Sequence, residues 1–186
     1  MIGRLPASLY VGGQEWLIRT DFRDVLTIIQ ALNDPYLTDQ EKSLVMLKIL
    51  YQDFGQIPRA YLQEAMEQAV WFIDCGQVED EKKPARKVMD WEQDEALVFP
   101  AINSVAHQEV RALSYLHWWT FVGYFMEIKE GTFSVVLGIR QKKAKGKKLE
   151  KWEQEFYQQN KHLCDLKKRY SAEDQAEIDY WNKLLG

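Results

Sequence analysis

A mainly α-helical fold is predicted by three features of the chain. Apolar residues recur at steps of three and four through most of its length, helix-start signals precede those runs, and only one pair of β-prone stretches occurs. The expected architecture is a short N-terminal β-hairpin followed by a multi-helix bundle, with a buried central helix and a heptad-patterned C-terminal helix. Ser8-Leu9-Tyr10-Val11 and Gln14 to Ile18 flank Gly12-Gly13, a pair able to take the positive φ of a tight hairpin turn. An isolated hairpin is marginal in water, so it must lie on something.

Three amphipathic helices follow. Thr20 or Asp21 caps the first, whose Phe22, Val25, Leu26, Ile29 and Leu32 form one stripe, and Asn33-Asp34-Pro35 ends it. Thr38 and Glu41 make a capping box for the second, which runs to about Phe54 and turns Leu44, Leu47, Leu50, Tyr51 and Phe54 inward. Pro58 stands near the first turn of the third, Leu62, Ala65, Met66, Ala69 and Ile73 form its inner face, and Gly76 closes it. Residues 1–76 therefore read as an N-terminal unit, and 77–89 (QVEDEKKPARKVM) as a charged linker or exposed loop. Residues 90–186 read as a C-terminal helical unit.

In that second unit Asp90 caps a helix with an acidic first turn. Pro100 lies inside it, and the missing donor and ring clash predict a kink or break near Phe99. Ser114 to Ile128, SYLHWWTFVGYFMEI, is uncharged as far as Glu127 and apolar on every side, with Ser114 the expected N-cap. As a helix it spans roughly 22 Å, short of the ~30 Å hydrocarbon slab, so it reads as the central core helix and not a membrane span. Thr132 starts a helix through TFSVVLGIRQ, and a basic segment, 140–151, carries Arg140 and six lysines. From 148 to 170 a single heptad helix is expected, with Leu149, Trp152, Phe156, Gln159, Leu163, Leu166 and Tyr170 along one seam. Asp165 and Arg169 stand in the favourable i, i+4 order around it. Ser171 and Asp174 open a last helix, 172–185, bearing Ile178, Trp181 and Leu185.

No catalytic, cofactor-binding or metal-ligating residues are expected, and no cofactor. His107, His117 and His162 have no metal spacing, and His117 reads as a hydrogen-bonded core residue. Cys75 and Cys164 lie far apart in no redox or metal pattern, and read as two free thiols. GIRQKKAKGKK fails as a phosphate loop, because its glycines are misplaced and no Ser or Thr follows the lysine. The N-terminal MIGRLPASLYVGG lacks a basic start and a continuous apolar run, so it does not read as a signal peptide.

Binding is the activity these features leave. The seam from Leu149 to Tyr170 is the candidate protein-interaction stripe; it packs inside the molecule, or it faces a second copy or a partner, and the pattern allows both. Seven tryptophans and 13% aromatic residues suit surfaces that bury large side chains. Lys142, Lys143, Lys145, Lys147 and Lys148 form the candidate basic contact. No aromatic is interleaved among them and the chain carries a net charge of −4, so a solvated helix end is the simpler reading than nucleic-acid binding.

Several long stretches, GRLPASLYVGG, DFRDVL, WFIDCG, MDWEQDEALVFPAIN, YLHWWTFVGYFMEI and GTFSVVLGIRQKKAKGKKLEKWEQEFYQQNK, resemble the bacteriophage gene-product-fifteen family of Gram-positive siphophages and prophages. The resemblance extends to about Tyr170. The family's genes lie typically between those for the tail-tube and tape-measure proteins. That placement implies a tail-assembly chaperone, a non-enzymatic coat that keeps the tape-measure protein soluble until the tube polymerises. It would act in the host cytoplasm during assembly and be absent from the mature virion. The tail-tube protein and a second copy of the chain are further expected partners. A structural part retained in the tail and a nucleic-acid-binding phage protein are the alternatives.

Overall fold

The computed structural model describes residues 2–77 and 87–185. Most of the expected linker therefore lies outside the described residues. The fold is mainly α-helical, with one two-stranded antiparallel hairpin and nine α-helices among the described residues. The chain divides into two compact units, Pro6–Phe72 with Lys168–Gly186, and Met1–Leu5 with Ile73–Lys167. The last helix thus groups with the hairpin unit and not with the segment before it.

In the hairpin unit, β1 (Ser8–Val11) pairs with β2 (Gln14–Leu17), Leu9 facing Trp16 and Val11 facing Gln14. Successive side chains point to opposite faces, so Leu9, Val11 and Trp16 are buried while Tyr10 and Leu17 are exposed. Gly12, at φ +59°, makes the turn possible in a second way: a Cβ there would meet the Tyr61 ring at 2.7 Å. Its N–H donates to Glu64 Oε2 at 2.9 Å.

Helix α1 (Phe22–Leu32) is capped by Asp21, whose carboxylate accepts from the Arg23 N–H, and α2 (Asp39–Leu50) by the expected Thr38–Glu41 box. Helix α2 stops at Leu50 and does not reach Phe54. Tyr51 turns extended and bridges Ile18, Arg19 N–H donates to Leu50 O at 2.8 Å, and Gln52 N–H to Leu17 O at 3.1 Å. The strand edge next to it thus offers backbone partners that outcompete another helical turn. The buried Tyr51 hydroxyl donates to Ala65 O at 2.9 Å in α3 (Leu62–Ile73). Phe22, Val25, Ile28, Leu47, Leu50, Ala65, Ala69 and Phe72 fill this core. Ile28 takes a place the stripe assigned to Leu26 and Ile29, and Leu44 is exposed.

In the other unit, α4 (Glu95–Ala106) follows a turn in which Asp90 accepts from the N–H groups of Glu92 and Gln93 at 3.1 and 3.0 Å. Of the kink or break expected near Phe99, a break is absent: α4 runs through Pro100 as one helix. Pro100 and Ala96 are exposed, so the carbonyl the proline leaves without a donor faces water.

The aromatic stretch also differs from expectation. Helix α5 covers only Trp118–Met126 and its N-cap is His117, not Ser114. His117 is buried and its Nδ1 accepts from the Trp119 N–H at 3.0 Å, the structural role expected of it. The helix is not buried all round, because Gly123 and Met126 face solvent. Its inner face, Trp118 and Phe121, joins Trp91, Phe99 and Phe125 in one cluster, with Trp91 4.9 Å from Phe125 and 5.8 Å from Phe121 between ring centres. The Trp118 indole donates to Ile73 O at 2.8 Å. After Gly131, at φ +101°, α6 (Thr132–Ala144) sends Phe133, Val136, Ile139 and Arg140 inward.

Candidate functional site

The site is the end of the second unit formed by α6, α7 (Lys151–Gln159) and the short α8 (Lys161–Cys164). Gly146, at φ +65°, ends α6 in a Schellman arrangement: Lys147 N–H donates to Lys142 O at 2.9 Å and Gly146 N–H to Lys143 O at 3.1 Å. The chain reverses, and Glu153 accepts the Glu150 N–H at 2.8 Å to open α7.

The basic segment is mostly neutralised at its N-terminal half. Lys142 Nζ binds both Glu153 oxygens at 2.7 and 2.8 Å, and this with the Glu150 N–H holds the Glu153 carboxyl below the usual glutamate range. Lys143 donates to Asp165 at 2.7 Å and lies 3.9 Å over the Tyr157 ring, whose hydroxyl also donates to Asp165 at 2.8 Å. Burial works against the Lys143 charge, yet Asp165 and Tyr157 together hold its ammonium above the ordinary lysine range. Arg140 is no part of a surface cluster. It is 7% exposed and places all five of its N–H donors: two on Asp94 at 2.7 and 2.8 Å, and three on the carbonyls of Val88, Leu163 and Cys164 at 3.1, 2.6 and 3.0 Å. The cavity beside this pair, about 200 Å³ and lined also by His162 and Leu166, is therefore walled by a guanidinium with nothing left to offer a ligand. Lys145, Lys147, Lys148 and Lys151 remain exposed, with no ion pair among the described residues.

The seven-residue seam is not one helix. Asn160 breaks it at φ −125°, ψ 37°, its side-chain amide donating to Phe156 O at 3.0 Å, the local competition that asparagine offers a helical ladder. Beyond Cys164 the carbonyls a helix would need are taken by Arg140. Gln93 takes up the backbone of Lys167, which lies outside any helix, accepting its N–H at 2.8 Å and donating to its carbonyl at 3.1 Å. Asp165 and Arg169 consequently do not share a helix face. Leu149, Phe156 and Leu163 pack against Val136, Ile139 and Cys164 as core, and Leu166 is half-buried. Trp152, Gln159 and Tyr170 face outward, Trp152 being 53% exposed.

What the seam reading missed lies at the C-terminus. Helix α9 (Ala172–Leu185) begins with a Ser171–Asp174 box, Asp174 N–H donating to Ser171 Oγ at 3.0 Å. Tyr180, Trp181 and Leu184 are exposed on it at 60%, 48% and 61%, on the side that also carries Glu173 and Glu177. The apolar spacing named only Ile178, Trp181 and Leu185 there. The step from Tyr180 to Leu184 was a legible i, i+4 pair.

Fold and site together define a helical protein whose apolar helix faces are partly outward, with no helix among the described residues long and apolar enough to cross a membrane. The chain matches the family model for the Bacteriophage Gp15 protein over residues 1–166 and belongs to that family. No curated protein and no solved structure matches it.

Proposed function

We propose that this phage protein is a tail-assembly chaperone that binds the tape-measure protein and keeps it soluble until the tail tube polymerises, acting by contact and not by catalysis. The observation that supports this most is the exposure of Trp152 on α7 and of Tyr180, Trp181 and Leu184 on α9. Aromatic side chains so placed bury large apolar areas against a partner helix, with the i, i+4 anchoring of helix-in-groove recognition. Family membership and the position of the family's genes support the tape-measure protein as the partner. In this reading the protein works in the host cytoplasm and leaves before the virion matures, and the tail-tube protein is a second contact.

Co-expression tests it. The tape-measure protein should be recovered soluble with this chain and aggregated without it, and equal solubility in both would defeat the reading. Mass spectrometry of purified virions separates it from a role as a retained tail component, since a chaperone is missing from them. The nucleic-acid alternative loses ground because Arg140, Lys142 and Lys143 are already matched to carboxylates.

A further inference from the structure

We infer that α9 of one copy docks in the groove along α7 of a second copy, joining copies head to tail. The groove is open, about 730 Å³, and Lys148, Leu149, Lys151, Gln154, Tyr157 and Gln158 line most of it, Glu155 being its one acid. Lys148 and Lys151 at its rim, like Lys145 and Lys147 in the preceding turn, have no carboxylate partner among the described residues. Helix α9 is the complement. Its charged residues are Glu173, Asp174, Glu177, Asp179 and Lys183, and Asp174 is engaged in the cap. Glu173 and Glu177 stand four residues apart, a spacing at which like charges repel, on the side that exposes Tyr180, Trp181 and Leu184. Two acids on the N-terminal side of three large apolar groups match two lysines at the N-terminal end of the α7 groove, and docking would relieve the repulsion while covering the aromatics.

The two surfaces are different patches of the same chain, so the contact is heterologous and one copy can hold the next at both ends. Such a contact closes into a ring or propagates as a filament, depending on the rotation it imposes. It rests on the protein's own surfaces and is independent of which chain the assembly covers.

The test uses the full chain in analytical ultracentrifugation, with circular dichroism as a control for folding, since all four substituted residues are exposed. Wild type should gain mass with concentration, and the gain should weaken as salt rises. Lys148→Glu with Lys151→Glu, and separately Glu173→Lys with Glu177→Lys, should each weaken association at least about tenfold. An equimolar mixture of the two variants should associate again, because each then offers the other a matched pair of surfaces. A wild-type chain that stays monomeric overturns the inference. So does a mixture that stays monomeric while the single variants lose stability, which would place α9 on the groove of its own chain. Variants that keep wild-type mass but lose the tape-measure protein also overturn it, and leave the chaperone reading standing.

Discussion

Replacing Asp94 by alanine removes the carboxylate that receives two of the five N–H donors of Arg140 and the Asp90 N–H. The guanidinium it leaves behind is 7% exposed and still tied to the carbonyls of Val88, Leu163 and Cys164, so it cannot swing out to water without freeing them. Breaking a buried pair from one side costs about 3–5 kcal/mol, because the remaining charge is uncompensated. In a unit of about a hundred residues each kcal/mol lowers the midpoint by roughly 4–8 °C, so a fall of at least about 12 °C is expected. Thermal unfolding followed by tryptophan fluorescence reports on this unit, which holds Trp91, Trp118, Trp119 and Trp152, four of the seven tryptophans. Glu127→Ala serves as the control, since its pair with Lys129 is exposed on both sides and is worth less than about 1 kcal/mol. A double-mutant cycle with Arg140→Met should give a coupling energy above about 1 kcal/mol. An Asp94→Ala cost no larger than that of Glu127→Ala would refute the reasoning.

Phe156→Glu should destabilise that same unit by about 2 kcal/mol or more, because Phe156 packs on the Val136–Ile139–Cys164 core, whereas Trp152→Glu should leave the unfolding midpoint unchanged. Gly12→Ala should cost about 1–2 kcal/mol for the positive φ alone, and more for displacing the Tyr61 ring, measured by denaturant unfolding of the hairpin unit. Arg111, with Asn103 assisting, holds the Glu109 carboxyl down at about 2. The folded value lies below the unfolded one, so what this group contributes is present above the ordinary glutamate range and is lost as pH falls towards 2; carbon-detected NMR titration should show Arg111→Ala raising it. Burial and Asp74 push the Cys75 thiol up to about 11, and burial raises that of Cys164, so both should react slowly with a disulfide reagent at neutral pH and rapidly after unfolding.

Sequence alone determined what depends on neighbours a few residues apart. The Gly12-Gly13 turn, the Thr38–Glu41 and Ser171–Asp174 caps, the helix after Gly131 and the mainly helical class all follow from short-range sterics and from hydrogen bonds within one turn. Tertiary structure decided wherever a distant group outbid the local pattern. The heptad spacing from Leu149 to Tyr170 is real, but Arg140 and Gln93 capture the backbone that would have continued the helix, and nothing near residue 160 announces partners at 93 and 140. Likewise the aromatic run before Met126 is half-exposed because α4 and Trp91 cover only one of its sides. Periodicity says which residues can share a face. Which face is covered depends on chain that arrives from far along the sequence, and that settled that Phe156 lies against the core while Trp152, on the same seam, faces out.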